Sequence, residues 1–184
     1  MRPPVQHAAA TAFGGLDAVV YAVGRSPLGP MAGASEAEWH DVLATNVVGA
    51  AISAAAAAPH LLATGGRFVA LSSKIVRQPL ADLALYATSK AALEGLLRCL
   101  PVEYPGLRVT QVVVGNTHGT DFSAGWDPDA FDAALHRWAA AGGLGSTSTM
   151  DPVTVADTVI GVLASPAHVE QLVVLEPPAP PTGG

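Results

Sequence analysis

Three short apolar runs, each ending in a glycine or hydroxyl or running into a polar turn, constrain the fold of this chain more than any other feature. They are Leu16-Asp17-Ala18-Val19-Val20-Tyr21-Ala22-Val23-Gly24, Arg67-Phe68-Val69-Ala70-Leu71-Ser72-Ser73 and Arg108-Val109-Thr110-Gln111-Val112-Val113-Val114. Near-continuous apolar runs of this length mark strands covered on both faces. Gln171 to Leu175 reads as a fourth strand. Between them lie helical stretches: an Ala-rich one from Trp39 to Leu62, one carrying Tyr86, and Val155 to Ala164, opened by Asp151-Pro152. Met1 to Pro4 followed by Ala8 to Phe13 reads as the end of a helix leading into the first strand. Strands alternating with helices predict an α/β domain over residues 1–176 with about four parallel strands. The Pro/Gly-rich tail 177–184 is expected to be disordered.

Ligands of such sheets bind at the carboxyl ends of the strands. Ser73 sits at one such end, placed to bond a substrate oxygen. Thirteen residues later comes Tyr86-Ala87-Thr88-Ser89-Lys90. On a helix, positions four apart share a face about 5 to 6 Å apart at Cβ. A phenol and an amine so placed form a proton-transfer pair, and the ammonium is expected to lower the Tyr pKa from its usual ~10 toward neutrality.

With these residues in order, the chain resembles the short-chain dehydrogenase/reductase family from about residue 10 to residue 177. Asp17 through Gly24 lies where the family has a strand ending Asn-Asn-Ala-Gly. Asn46 matches the family's helix asparagine, Ser73, Tyr86 and Lys90 match its catalytic trio, and Thr120-Asp121 falls where the family often has Thr-Asp. The resemblance implies a Rossmann-like, doubly wound sheet and hydride transfer between NAD or NADP and a carbonyl or alcohol substrate. It assigns Tyr86 as general acid/base, Lys90 to the Tyr86 pKa and the nicotinamide ribose, Ser73 to the substrate oxygen, and Asn46 to a water of the proton relay. It places Ala22, Val23, Gly24, Gly115, Asn116, His118 and Thr120, with Tyr86 and Lys90, around the cofactor. A non-catalytic subunit or interaction module is the alternative. Epimerisation or dehydration of a sugar nucleotide is a third reading, disfavoured by the lack of a sizeable domain after Leu175.

The departures are as informative. Family members open with Thr-Gly-x-x-x-Gly-x-Gly at a helix N-terminus, where free N–H groups bind pyrophosphate. Gly14-Gly15 precedes a strand here, and Gly142-Gly143-Leu144-Gly145 reads as a loop. The resemblance thus implies an N-terminally truncated domain, with the first strand as a sheet edge lacking Lys or Pro protection. A preceding segment, a partner chain or a second copy is expected to complete that sheet. Tyr21-Ala22-Val23-Gly24 also puts a bulky ring and a Val where the family keeps small or amide side chains near the adenosine ribose.

Composition narrows the partners. The formal net charge is −6, and the basic residues are unclustered, which argues against nucleic acid. The apolar run Val47 to Ala58 stops at Pro59-His60, short of the ~20 residues that span a bilayer, so no membrane partner and a cytoplasmic location are expected. Cys99 is expected to be a small buried residue on the Tyr/Lys helix. The six His show no close pair of ligand spacing, so no metal is expected. Ala87, Ala91 and Gly95 form a strip of small residues that admits a second helix, and the family commonly dimerises there. Ser123 to Met150 is a candidate substrate lid, and its apolar face, Phe131, Leu135 and Trp138 at helical spacing, suggests a hydrophobic substrate, with core packing as the other use of those side chains.

Overall fold

The computed structural model describes residues 5–142 and 148–178. The readings of Met1 to Pro4, of Gly143-Leu144-Gly145 and of the tail from 179 lie outside these residues. In chain order the elements are α1 (Val5–Phe13), β1 (Ala18–Tyr21), α2 (Glu36–Leu43), α3 (Gly49–Thr64), β2 (Arg67–Ser73), α4 (Ala84–Glu103), β3 (Arg108–Val114), α5 (Pro128–Ala140), α6 (Pro152–Ala164) and β4 (Gln171–Val174). The four strands form one parallel sheet in the order β1-β2-β3-β4.

Alternation along the strands divides the core into two layers. Phe68 and Ala70 face α3 and α4, where they meet Ala54, Ala57, Leu61, Leu93 and Leu97. Val69, Val112 and Val174 face the other way, onto Val155 and Val159 of α6. Helices on both faces of a parallel sheet are what its near-continuously apolar strands require. Val20 is in register with Val69 and therefore points to the α6 side, yet it is 41 % exposed.

Two predicted boundaries shift. The first strand ends at Tyr21, three residues before the expected Gly24. The helix expected over Trp39 to Leu62 starts at Glu36 and runs to Thr64. Its start is set by a capping box: Ser35 Oγ accepts from the Glu38 N–H, and the Glu38 carboxylate accepts from the Ser35 N–H. Its end is set by Gly65, at φ 67°. Pro59 lies inside it, so the helix continues past the end of the apolar run. The helix from 36 to 64 is long and apolar enough to cross a membrane by length and composition. Here its Ala50, Ala54, Ala57, Ala58 and Leu61 face is buried.

Between α2 and α3 the helix widens into a π turn, Ala44–Val48. The Gly49 N–H reaches back five residues to the Ala44 carbonyl, which frees the Thr45 carbonyl from its α-helical partner. The Tyr21 hydroxyl donates to that carbonyl at 2.6 Å. A Cβ at Gly49 would lie 2.5 Å from the Tyr21 hydroxyl oxygen, so the turn requires glycine beside tyrosine. The Tyr21 ring is therefore in the core on the α3 side, 8 % exposed, and not at the adenosine side where the sequence placed it. Strand alternation turns it inward.

This arrangement makes a coupled prediction. Gly49→Ala should destabilise the protein by about 1–2 kcal/mol because the Tyr21 hydroxyl must move. In a Tyr21→Phe background the nearest ring atom stands 3.6 Å away, and the same change should instead stabilise by up to about 1 kcal/mol through helix propensity. Urea melts of the four proteins check this, and additive effects would refute it.

Candidate active site

Ser73 ends β2, and its Oγ accepts from the Ile75 N–H at 3.3 Å. The side chains of Ser73 and Tyr86 face the same cavity, close enough for the Ser73 hydroxyl to act on the Tyr86 phenol. One turn beyond Tyr86, Lys90 lies with its Nζ 5.7 Å from the Tyr86 ring centroid. That ammonium donates to the Leu71 carbonyl at 2.8 Å. The structure thus brings the three together at the carboxyl end of β2. Gly24 completes their surroundings, because a Cβ there would stand 3.5 Å from both Lys90 Nζ and Asn46 Oδ1.

The electrostatics differ from the expectation. Burial pushes the Tyr86 phenol above its usual range, and the Ser73 hydroxyl pulls it only partly back. Burial also lowers the Lys90 ammonium to about 8. The phenol is not brought toward neutrality because desolvation outweighs the effect of Ser73.

Asn46 lies in the π turn and is fully buried. Its Oδ1 accepts from the Arg25 N–H at 2.7 Å, and its Nδ2 donates to the Arg25 carbonyl at 2.9 Å and to Ser89 Oγ at 2.7 Å. Ser89 Oγ donates in turn to the Tyr86 carbonyl at 2.8 Å. The Asn46 side chain thus ties the loop after β1 to the helix that carries Tyr86, and its amide is engaged by protein groups.

The turn after β3 is held by a residue the sequence reading passed over. The Glu176 carboxylate accepts from the Asn116 N–H at 3.0 Å and pairs with Lys74. Burial alone would raise its pKa, but the hydrogen bonds from Lys74 and from backbone N–H groups hold it below the usual carboxylate range. A Cβ at Gly115 would come within 2.2 Å of Glu176 Oε2, so this turn needs its glycine. Thr120 Oγ1 accepts from the Phe122 N–H. His118 is exposed, and its backbone N–H donates to the Met150 carbonyl.

A cavity of about 1070 Å³ opens in front of these groups. Ala22, Val23, Gly24, Ser73, Tyr86, Lys90, Gly115, Asn116 and Thr120 line it, whereas Asn46 and His118 do not. Its far wall is the segment read as a lid. Trp138 Nε1 donates to the Ala81 carbonyl at 2.8 Å, and Trp126 Nε1 donates to the Ser26 carbonyl. Arg137 makes two bonds to Asp82 Oδ2, at 2.6 and 2.9 Å. Asp82 has φ 63°, a conformation uncommon outside glycine, and its carbonyl accepts from the Gly29 N–H at 2.9 Å. The lid helix, the loop after β1 and the start of α4 meet at this residue.

Three other expectations are corrected or completed. Cys99 is exposed, because the inward face of α4 takes Leu93, Leu97 and Leu100. In the small-residue strip, Ala91 is exposed but Ala87 packs against the lid cluster. His7 and His60 meet at 2.7 Å between α1 and α3, a pair that 53 residues of separation hides from a spacing search. No group of three or more potential ligands occurs among the described residues.

The buried ammonium generates a pH-dependent prediction. Below pH 8 the folded protein carries the full cost of burying a charged Lys90, about 3 kcal/mol from its displacement below 10.5. Between 8 and 10.5 the unfolded chain binds more protons, so this cost fades as pH rises. Lys90→Met leaves the Leu71 carbonyl unpaired, at about 1–3 kcal/mol. The variant should therefore be more stable than the wild type by about 1 kcal/mol at pH 7 and less stable near pH 10.5. Paired denaturant melts at the two pH values check the crossing.

Comparison with known proteins agrees with this geometry. The family described as short chain dehydrogenase matches residues 4–130. The glycine betaine reductase ATRR of Emericella nidulans is 34 % identical over 165 residues, which cover 88 % of this chain and 12 % of that protein. A short-chain dehydrogenase from Mycobacterium paratuberculosis bound to NAD superposes with a TM-score of 0.80 at 25 % identity, over 92 % of this chain and 66 % of that one. A dehydrogenase from Burkholderia cenocepacia with bound NADP gives 0.74 at 27 % identity, over 92 % and 64 %. This chain therefore spans less than two thirds of each of these relatives, and by its sequence, its sheet and the residues at its strand ends it belongs to the short-chain dehydrogenase/reductase family.

Proposed function

We propose that the site is that of a nicotinamide-dependent oxidoreductase acting on a carbonyl or alcohol. The observation that carries this reading is the convergence of Ser73, Tyr86 and Lys90 at the open end of β2, beside the cavity. The donor set fits the nicotinamide-ribose end of NAD or NADP: Gly24 leaves Lys90 uncovered by any side chain of its own, and Gly115 and Asn116 offer a turn held by Glu176. Such a cofactor supplies the hydride. No Thr-Gly-x-x-x-Gly-x-Gly turn occurs in the 184 residues, so a pyrophosphate would be held by a partner chain, a second copy or further polypeptide against the edge of β1.

In carbonyl reduction Ser73 donates a hydrogen bond to the substrate oxygen, and Tyr86 gives that oxygen its proton as negative charge develops there. The phenolate left behind is stabilised by the Lys90 ammonium. A phenol held above its usual pKa is in the donating form at neutral pH, which favours reduction over alcohol oxidation. The Asn46 amide keeps the Tyr86 helix and the loop after β1 in register. A homodimer on α3 and α4, with Ala91 at the contact, belongs to the same reading.

NADH and NADPH titrations of the chain alone, followed by indole quenching, should give dissociation constants of about millimolar, since only one end of the cofactor is held. In an assembly with turnover, Tyr86→Phe should lower kcat by at least about a hundredfold with cofactor affinity nearly intact. The reduction rate should stay level through neutrality and fall above about pH 8 as Lys90 loses its proton. Unchanged turnover in Tyr86→Phe would overturn the assignment.

A further inference from the structure

The wall facing the proposed acid/base is a run of aromatic rings in mutual edge contact. Tyr86 meets Phe122 with centroids 5.1 Å apart at 70°, Phe122 meets Trp126 at 5.1 Å and 66°, and Trp126 meets Phe131 at 5.2 Å and 60°. Trp138 closes the run at 6.1 Å from Phe131. All five rings line the cavity. Their burial separates two uses. Trp138 is 6 % exposed and belongs to the packing of the lid, but Phe122 is 39 % exposed and presents its ring to the cavity beside Tyr86.

The wall also lacks spare indole donors. Both indole N–H groups are taken by backbone carbonyls, those of Ser26 and Ala81. The cations near the cavity are engaged as well: Arg25 pairs with Asp41 at 2.8 Å, Lys74 pairs with Glu176, and Lys90 bonds Leu71. Gln78, Thr120, Asp121 and Ser123 also line the cavity, as does Ser26, whose buried Oγ has no hydrogen-bond partner among the described residues. An anionic substrate placed against the rings would lose its hydration with no free cation to replace it. A flat apolar ring would add an edge-to-face partner to a series already built from them.

Resting on the oxidoreductase reading of the same site, we infer that the substrate is an uncharged aryl or aryl-alkyl ketone or its alcohol, with its ring against Phe122 and Trp126 and its oxygen at Ser73 and Tyr86. Phe122 is then the specificity-determining residue. Rings in this geometry add about three- to tenfold in affinity beyond the area they cover.

The test is a binding titration that needs no turnover: 2-tetralone against dihydroxyacetone, read by quenching of indole fluorescence. Saturable quenching by 2-tetralone, and none by dihydroxyacetone over the same range, supports the inference. Phe122→Ala should weaken 2-tetralone at least about tenfold, and Phe122→Leu, which keeps an apolar side chain, about three- to tenfold. Ile160→Ser, on the exposed face of α6 that also borders the cavity, should leave it unchanged. Equal binding of the two ketones would overturn the inference, as would 2-tetralone affinity that responds to Ile160→Ser and not to either Phe122 variant. Tetralone that binds at Phe122 but is never reduced in an assembly that turns over cofactor sinks the oxidoreductase reading for this ligand and leaves the aromatic site standing. Reduction of dihydroxyacetone with no preference for tetralone does the reverse.

Discussion

The buried amide of Asn46 is the interaction on which the site depends. Its two ends hold the backbone of Arg25, just past the Gly24 turn, and the hydroxyl of Ser89, which in turn holds the Tyr86 carbonyl. One side chain therefore sets the distance between the loop after β1 and the helix that carries Tyr86 and Lys90. The π turn puts that amide in place. In an uninterrupted α-helix the Thr45 carbonyl would take the Gly49 N–H, whereas here Tyr21 satisfies it from the sheet. Single π turns inside helices are frequent at functional sites, and in this protein the cause is visible: a strand residue supplies the missing hydrogen bond.

Burial of Lys90 illustrates how function opposes stability within the same network. An ammonium with one carbonyl partner and little solvent is costly, and the displacement of its pKa to about 8 measures that cost. A methionine of similar length would pack there without it. In the proposed reaction, what the charge would supply is a counter-ion for the phenolate formed when Tyr86 gives up its proton. The raised pKa of Tyr86 and the lowered pKa of Lys90 share one cause, desolvation, so opening the site to water would relax both and weaken the contrast between them. Perturbed groups paired in a cleft are a mark of functional sites.

What the sequence discloses and what it hides follow from the reach of the interactions involved. The strands of Arg67–Ser73 and Arg108–Val114 were legible to the residue because both their faces are covered and both read as continuous apolar runs. Ser73, Tyr86 and Lys90 were legible because their relation is local, set by one strand end and one helical turn. The contacts that align the site were not. Tyr21 reaches Thr45 across 24 residues, Arg137 reaches Asp82 across 55, Trp126 reaches Ser26 across 100, and Lys74 reaches Glu176 across 102. No periodicity records such pairings. The capping box at Ser35 and Glu38 is a different case, since its signal is local and would have moved the helix start to its observed position. The inward turn of Tyr21 was equally available, because strand alternation sends it to the face opposite Val20.

The strained backbone at Asp82 fits the same logic of fixing distant parts to one point. A non-glycine residue at φ 63° is held there by its surroundings, and those surroundings are the lid and the loop after β1. Arg137 and the Gly29 N–H engage Asp82 itself, and Trp138 engages Ala81. Asp82 stands four residues before Tyr86, at the entry to the helix that carries Tyr86 and Lys90. A glycine would accept the backbone angle more readily, but it would release Arg137 and with it one of the two side-chain ties of α5 to the segment leading into α4. Aspartate at this position therefore accepts conformational strain while holding α5, which carries Phe131 and Trp138 of the aromatic wall, against the segment that enters α4.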